Sequence, residues 1–463
     1  MELDDRALPL TRGQLDIWLA QATGHSGIEW QLGLLVRIES TVDRESLQWA
    51  IRRVVHEAEP VRVSFSEVDG QVVQRVIDYP DVELAFYDLR GAQDPVQEVR
   101  EIASSIQRTP MPLSGPLFKF ALFQIRRDEF YLFACCHHIV IDGFGVALVG
   151  HRIASIYSAI LSGASIPSAF YGSLKDLVDY ELEYETSTDY RDDEAYWTRN
   201  LASQYGSHYR FFDAAGVRDP WPSAPVGLDL GVLRRVDELS GAWNMSRTSI
   251  ITAACALLVR GWSGSGSEVV LDFPVSRRVS PESKMLPGMV AGFVPLVLTA
   301  SPDSPIASFC EHVDTRIREA LQHQRFPVQA LERKAQPHGP ARSTDRVSVN
   351  FIPAGFTLPF GGVMASASYT NSGLVGGFGL IFSNAGDQLF LSTAGAGQPF
   401  ASFDVSYLAN RLQRVLAAMT ADPQRLLSSV EVLDVDEHAR LAVWGNRGVL
   451  DRPATPTVSI PDV

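Results

Sequence analysis

The sequence predicts an α/β protein of the α+β kind, built as two lobes of similar size. Three observations predict it. The chain has 463 residues, too many for one ordinary core at roughly 150 residues per domain. Helix-period and strand-like segments alternate through both halves. Between residues 176 and 227 the composition turns first highly charged, then rich in Pro and Gly, which marks a boundary between the halves.

In the first half, "VDRESLQWAIRRVVHEA" sets Leu47, Ala50, Ile51, Val54 and Val55 on one helical face, with Asp43 as N-cap. "PLFKFALFQI" and "FYLFACC" are nearly continuous apolar runs split by "RRDE", the pattern of two buried strands in a hairpin. "VALVGHRIASIYSAIL" then has helical period and stops at Gly163. Residues 176–202 read as charged helix. In the second half, "EVVLDFP" and "RVSVNFIP" read as strands. Phe309, Val313, Ile317 and Leu321 line one helix face, and Leu408, Leu412, Val415 and Met419 another. The glycine-rich "NSGLVGGFGLIF" reads as a closely packed loop entering a strand, and the Pro/Thr-rich tail as a linker.

Composition narrows the functional classes. Hydrophobic residues are 46% and charged residues 20%, the balance of a globular protein. A net charge of -14 argues against nucleic acid or an anionic membrane as partner. Four cysteines in so long a chain form no disulfide framework, which suits a reducing, cytoplasmic setting. The acidic start "MELDDRALPL" lacks the features of a signal peptide, and no uninterrupted apolar run nears the ~18 residues that span a bilayer.

"CCHHIVIDGFG" concentrates the chemistry-bearing residues. Neighbours on a strand alternate faces, so Cys135, Cys136, His137 and His138 cannot close a metal tetrahedron, and no metal site is expected. Both cysteines follow an apolar run without a basic neighbour, so an activated thiol is not expected either. The histidines end a buried strand, and Asp142 and Gly143 follow in a turn. Such a turn exposes reactive side chains, although a structural histidine in a capped turn fits the spacing equally well. No G-x-S-x-G occurs, so a serine hydrolase of the nucleophile-elbow type is not indicated.

"HHIVIDG" has the form H-H-x-x-x-D-G and resembles the signature of the condensation domains of non-ribosomal peptide synthetases, in the chloramphenicol acetyltransferase-like superfamily. Other segments resemble that family's motifs in order. "LPLTRGQLDIWLAQ" keeps Gln14 and Trp18, and "EPVRVSF" keeps Glu59, Arg62 and Phe65, with Val61 and Val63 in place of Leu and Thr. "AYWTRNL" keeps Tyr196 and Trp197. "PGMVAGFVPLVL" keeps Phe293 and Val294 but has Pro295 where Asn is usual. "HQRFPVQAL" keeps His323, Gln324 and Pro327, and "RVSVNFIP" keeps Asn350 and Phe351. The resemblance covers residues 8–450.

The resemblance implies a V-shaped pseudodimer of two acetyltransferase-like lobes around a central tunnel. The lobes would span residues 1–180 and 181–435, the second with crossover segments that include "NSGLVGGFG"; residues 436–463 would lead toward a downstream adenylation domain. It implies an amide-forming acyltransferase acting on an acyl thioester and the amine of an aminoacyl thioester. The partners are peptidyl or acyl carrier protein domains with their 4'-phosphopantetheine arms; no cofactor is bound by the domain itself. His138 is expected at the tunnel centre as base or positioner of the amine. His137 is expected to pack, Asp142 to pair with a buried arginine (Arg62 or Arg278), and Gly143 to keep the tunnel open; Asn350 is a supporting residue. "DGFG", "PGMV...PLVL" and "VNFIP" resemble the starter and siderophore-type branch. With Met1 as the native start, no carrier domain precedes the first motif, and the donor is expected in trans as an acyl-coenzyme A or acylated carrier. An epimerase relative would carry a Glu-Gly-His motif, and a heterocyclising relative would have aspartates for the histidine pair; neither pattern is present. An elongating condensation domain and an inactive recruitment module are the alternatives.

Overall fold

The computed structural model describes residues 7–22, 27–78, 80, 82–201, 222–261, 266–335, 346–353, 355–371, 373, 377–395, 400 and 403–445. Two six-stranded mixed sheets organise it, each backed by helices around its own apolar core. The core of the first sheet gathers Leu47, Val54, Phe123, Phe133 and Tyr157; that of the second gathers Trp197, Leu271, Phe309, Leu380 and Leu412.

The expected hairpin forms. Phe118–Arg126 and Glu129–His137 pair antiparallel, and Gln31–Ile38 flanks the second strand on its other edge. Asp43 caps the helix Arg44–Glu57, accepting from the Ser46 amide at 2.8 Å. The helix Gly143–Ser162 follows the hairpin and closes at Gly163, whose φ of +67° suits glycine. The charged segment after it forms two helices, Leu174–Thr186 and Thr188–Asn200.

Sheet membership does not follow sequence order. Phe356–Phe360 and Val363–Asn371, late in the chain, form an antiparallel pair that joins the first sheet beside Gln31–Ile38. The strands that precede and follow this pair, Val347–Pro353 and Phe378–Ala385, lie parallel to each other in the second sheet. The chain thus crosses between the two sheets and back, so a division at residue 180 separates the lobes only in part. The "NSGLVGGFG" stretch lies on the return crossing, and among its residues 372 and 374–376 fall outside the described ones.

Three further expectations need correction. The stretch after Val435 begins with a helix, Val435–Trp444, whose N-terminus has a reciprocal capping box between Asp434 and Glu437; the Pro/Thr-rich tail beyond lies outside the described residues. Leu321 is 40% exposed because the buried face of its helix, Ile306–Gln322, continues from Ile317 through Ala320 and leaves Leu321 one position off it. Among the described residues, the helix Gly143–Ser162 is long and apolar enough to cross a membrane by length and composition, with half of that window buried. Counting only uninterrupted apolar residues passes over it, because His151 and Arg152 break the run.

Candidate active site

The motif strand ends at His137, and its end is held tightly. The His138 amide donates to the Trp30 carbonyl at 2.7 Å, and Val140 and Ile141 turn back onto the carbonyls of His137 and His138. The chain then enters the helix Gly143–Ser162 through Asp142, whose Oδ1 accepts from the Gly145 amide at 2.9 Å. Gly145 must be small. A Cβ there would sit 2.7 Å from Ile141 Cγ1 and 3.3 Å from the backbone of Pro287, a segment of the opposite half.

The two histidines have different surroundings. His137 is 1% exposed; its Nδ1 accepts from the Ile139 amide at 3.1 Å, and its Nε2 lies 2.7 Å from the Gln21 side-chain Nε2. Burial, with His138 adding to it, pushes the His137 imidazole down to about 3. His138 instead lines a cavity of about 500 Å³. Trp30, Leu32 and Gly143 come to that cavity from the first half, Phe293, Asn350 and Phe351 from the second.

Asp142 and Arg278 join the halves. Arg278 Nη1 contacts Asp142 Oδ2 at 2.5 Å, and both side chains are almost fully buried. The same oxygen accepts from the amides of Val290 (3.1 Å) and Ala291 (2.9 Å). Arg278 Nη2 donates to the carbonyls of Leu286 (3.2 Å) and Gly288 (3.0 Å), and the Phe144 ring centre lies 4.8 Å from the guanidinium carbon. Burial alone would raise the Asp142 carboxyl; the Arg278 charge and these hydrogen bonds outweigh it and hold the group below its usual range. Arg62, the other candidate partner, takes no part. It donates to the carbonyls of His56 (3.0 Å) and Ile77 (2.6 Å), within the first half.

Gly143 borders the cavity, but a Cβ there would meet only the Tyr369 hydroxyl, at 3.8 Å. A methyl group therefore fits, and the expected obstruction applies to larger side chains. The cysteines are inert packing. Cys135 points to Gln31 (Sγ to Oε1 3.4 Å), and burial raises both thiols, that of Cys136 to about 12. Among the described residues no cluster of His, Cys, Asp and Glu could hold a metal.

Four other motif residues form a chain of contacts that leads toward this centre. Trp197 Nε1 donates to the His323 carbonyl (2.9 Å), the Tyr196 ring stacks on the His323 imidazole, and His323 pairs with Asp193 at 2.6 Å. Gln324 then accepts from the amide of Arg277 (3.0 Å), the residue before Arg278. Two contributors escaped the sequence reading. Tyr369 reaches in from the crossing strand and donates to the Gly143 carbonyl at 2.9 Å. Gly373 lies against the His138 ring, where a Cβ would fall 2.3 Å from Cδ2. Glycine richness was the one signal for Gly373, and nothing in the local pattern marks Tyr369.

The arrangement is a histidine on an apolar cavity between two halves, with a buried ion pair fixing the turn that carries it. Known proteins resemble this chain in sequence and in fold. A dimodular nonribosomal peptide synthase of Bacillus subtilis is 26% identical over 454 residues, covering 94% of this chain and 18% of that protein. An isonitrile lipopeptide synthase of Streptomyces coeruleorubidus is 26% identical over 439 residues, covering 93% and 29%. The chain thus spans less than a third of the length of either relative. Among solved structures, a variant of the starter condensation domain of rhizomide synthetase, in complex with C8-CoA, superposes with a TM-score of 0.81 at 26% identity, over 92% of this chain and 98% of that one. The first condensation domain of the calcium-dependent antibiotic synthetase, with a substrate analogue, gives 0.79 at 25%, over 93% and 100%. The condensation domain family model matches residues 5–352, and the chain belongs to that family, whose members form amide bonds in non-ribosomal peptide synthesis.

Proposed function

We propose that this domain is a starter condensation domain: it joins an acyl thioester, delivered as a coenzyme A ester or on an acyl carrier protein, to the amine of an aminoacyl thioester on a peptidyl carrier. The 4'-phosphopantetheine arms belong to the carriers, and the segment after Val435 leads toward an adenylation domain in a cytoplasmic synthetase. The observation that carries this reading is His138 on a largely apolar cavity between the halves. The likeness to a starter domain in complex with C8-CoA and to a lipopeptide synthase favours an acyl donor over a peptidyl one.

The chemistry asks little of the protein beyond alignment. A thioester is already activated, and an α-amine of pKa about 8 is roughly one-tenth neutral at pH 7. Holding amine and carbonyl in line supplies up to roughly 7–11 kcal/mol of the barrier. His138 accepts a hydrogen bond from the attacking amine and takes its proton as the tetrahedral adduct collapses; the thiolate leaves and is protonated in turn. Asp142 holds the turn through Arg278 rather than touching the substrate, Gly143 leaves space beside it, and Asn350 borders the cavity from the second half.

Intact-mass analysis of an aminoacyl carrier tests the proposal, after mixing with this domain and a panel of acyl-coenzyme A, acyl-carrier and peptidyl-carrier donors. N-acylation from the acyl donors is expected. Transfer from peptidyl carriers alone would replace the starter reading with elongation, and no transfer from any donor would leave a recruitment module.

A further inference from the structure

The His138 ring is held from a direction that its own motif does not reveal. The strand Val363–Asn371 shifts register against Gln31–Ile38 between Tyr369 and Asn371. Asn371 is then bolted in place: its Nδ2 donates to the Gln31 carbonyl at 3.0 Å, and its Oδ1 accepts from the Gly373 amide at 3.1 Å. Gln107 reinforces the joint, donating to the same carbonyl at 2.8 Å and accepting from the Thr370 hydroxyl at 2.9 Å. Both Asn371 and Gln107 are buried. A satisfied buried network of this kind resists displacement.

The network sets the backbone at Gly373, which has φ of +78°. In that left-handed conformation the glycine turns its bare face to His138: a Cβ there would lie 2.3 Å from Cδ2, 3.2 Å from Nε2 and 3.4 Å from Cγ. Across the turn, the His138 amide is fixed on Trp30. The residue thus has its backbone tied on one side and the Cδ2 edge of its imidazole set against glycine on the other.

We propose that Asn371 and Gly373 are positioning residues for His138. Gly373, hydrogen-bonded to Asn371, lays side-chain-free backbone against the imidazole and keeps the ring turned to the cavity. Its catalytic consequence rests on the starter reading above; the packing itself does not. Any side chain at 373 forces the ring to swing or the Gly373 backbone to withdraw. A misplacement near 1 Å can cost about a hundredfold in rate.

The test is a double-mutant cycle with His138→Ala, read by single-turnover acyl transfer and by melting temperature. Gly373→Ala is expected to lower kcat by roughly tenfold to a hundredfold with KM little changed. In the His138→Ala background the same change should cost almost no further rate. It should also cost less melting temperature there, because the clashing ring is gone. Gly373→Asn separates strain from clash, since asparagine tolerates the left-handed region but still carries a Cβ; it should keep the kinetic defect. Should Gly373→Ala not fold, Asn371→Ala is read in its place, with the same split between kcat and KM. Equal losses with and without His138, or wild-type turnover in a folded Gly373→Ala protein, would overturn the proposal. Wild-type rates in His138→Ala alone would instead remove the catalytic reading of His138, while the melting-temperature cycle would still report the packing.

Discussion

His137 and His138 are neighbours in the chain, yet one is sealed behind the strand and the other borders the cavity. His138→Ala should therefore stop or severely slow amide formation in a folded protein, followed by single-turnover acyl transfer with circular dichroism as control. A loss reversed by raising the pH, where the amine is already neutral, would identify base catalysis; a pH-independent loss would identify positioning. His137 should act on stability. Folding moves its pKa from the ordinary 6.5 down to about 3. The unfolded chain then binds the extra proton between those values, so the stabilising term is complete above 6.5 and is lost as the pH falls toward 3. His137→Asn should flatten the acid side of the melting-temperature profile, and an unchanged profile would refute that account. The different surroundings of the two histidines agree with the expectation from alternation, although the strand ends at His137 and His138 opens the turn after it. Gly373 was not legible in the sequence, since its partner lies 235 positions away and a glycine carries no side-chain signal of what it faces.

At the scale of elements, the hairpin and the helix Gly143–Ser162 were readable because each has an apolar pattern of its own period and a local stop, "RRDE" or Gly163. The pair Phe356–Phe360 and Val363–Asn371 was not placed, because pairing with Gln31–Ile38 is fixed by topology rather than by local pattern. The helix Val435–Trp444 was passed over although Asp434 and Glu437 form a capping box; exposed Val443 and Trp444 blur its apolar face. The first turn of the motif helix offers a graded test. Gly143→Ala should fold and turn over within about threefold of wild type, since the methyl meets only the Tyr369 hydroxyl. Gly143→Leu should retain its melting temperature but lose at least tenfold in rate, about 1.4 kcal/mol of barrier, as the side chain enters the cavity. Equal rates for the two variants would show that the substrate path does not run past Gly143.

Across the whole molecule, the two halves meet where the motif turn is fastened to the segment Leu286–Ala291. Asp142 supplies the charge, Arg278 the fork, and the amides of Val290 and Ala291 the remaining donors. Removing only the carboxylate leaves a guanidinium 1% exposed with two carbonyls but no counter-charge. Breaking a buried pair in this way costs about 3–5 kcal/mol, so Asp142→Ala should lower both melting temperature and soluble yield, and lower the rate as the halves lose their register. Exchanging both partners for apolar residues, Asp142→Leu with Arg278→Met, should recover much of that stability, because no charge is then stranded. The rate should not recover with it, since the cap on the Gly145 amide is still missing. The same geometry predicts acid behaviour. Folding holds the Asp142 carboxyl below its ordinary 3.8, so its contribution is complete above that value and disappears as the pH falls through the lower, folded one. Wild type should thus lose stability below pH 3.8 through this pair, and the doubly apolar variant should lack that component. Calorimetry across the acid range decides it: a fully stable but inactive Asp142→Ala protein would move Asp142 from fastening the halves to acting on the substrate.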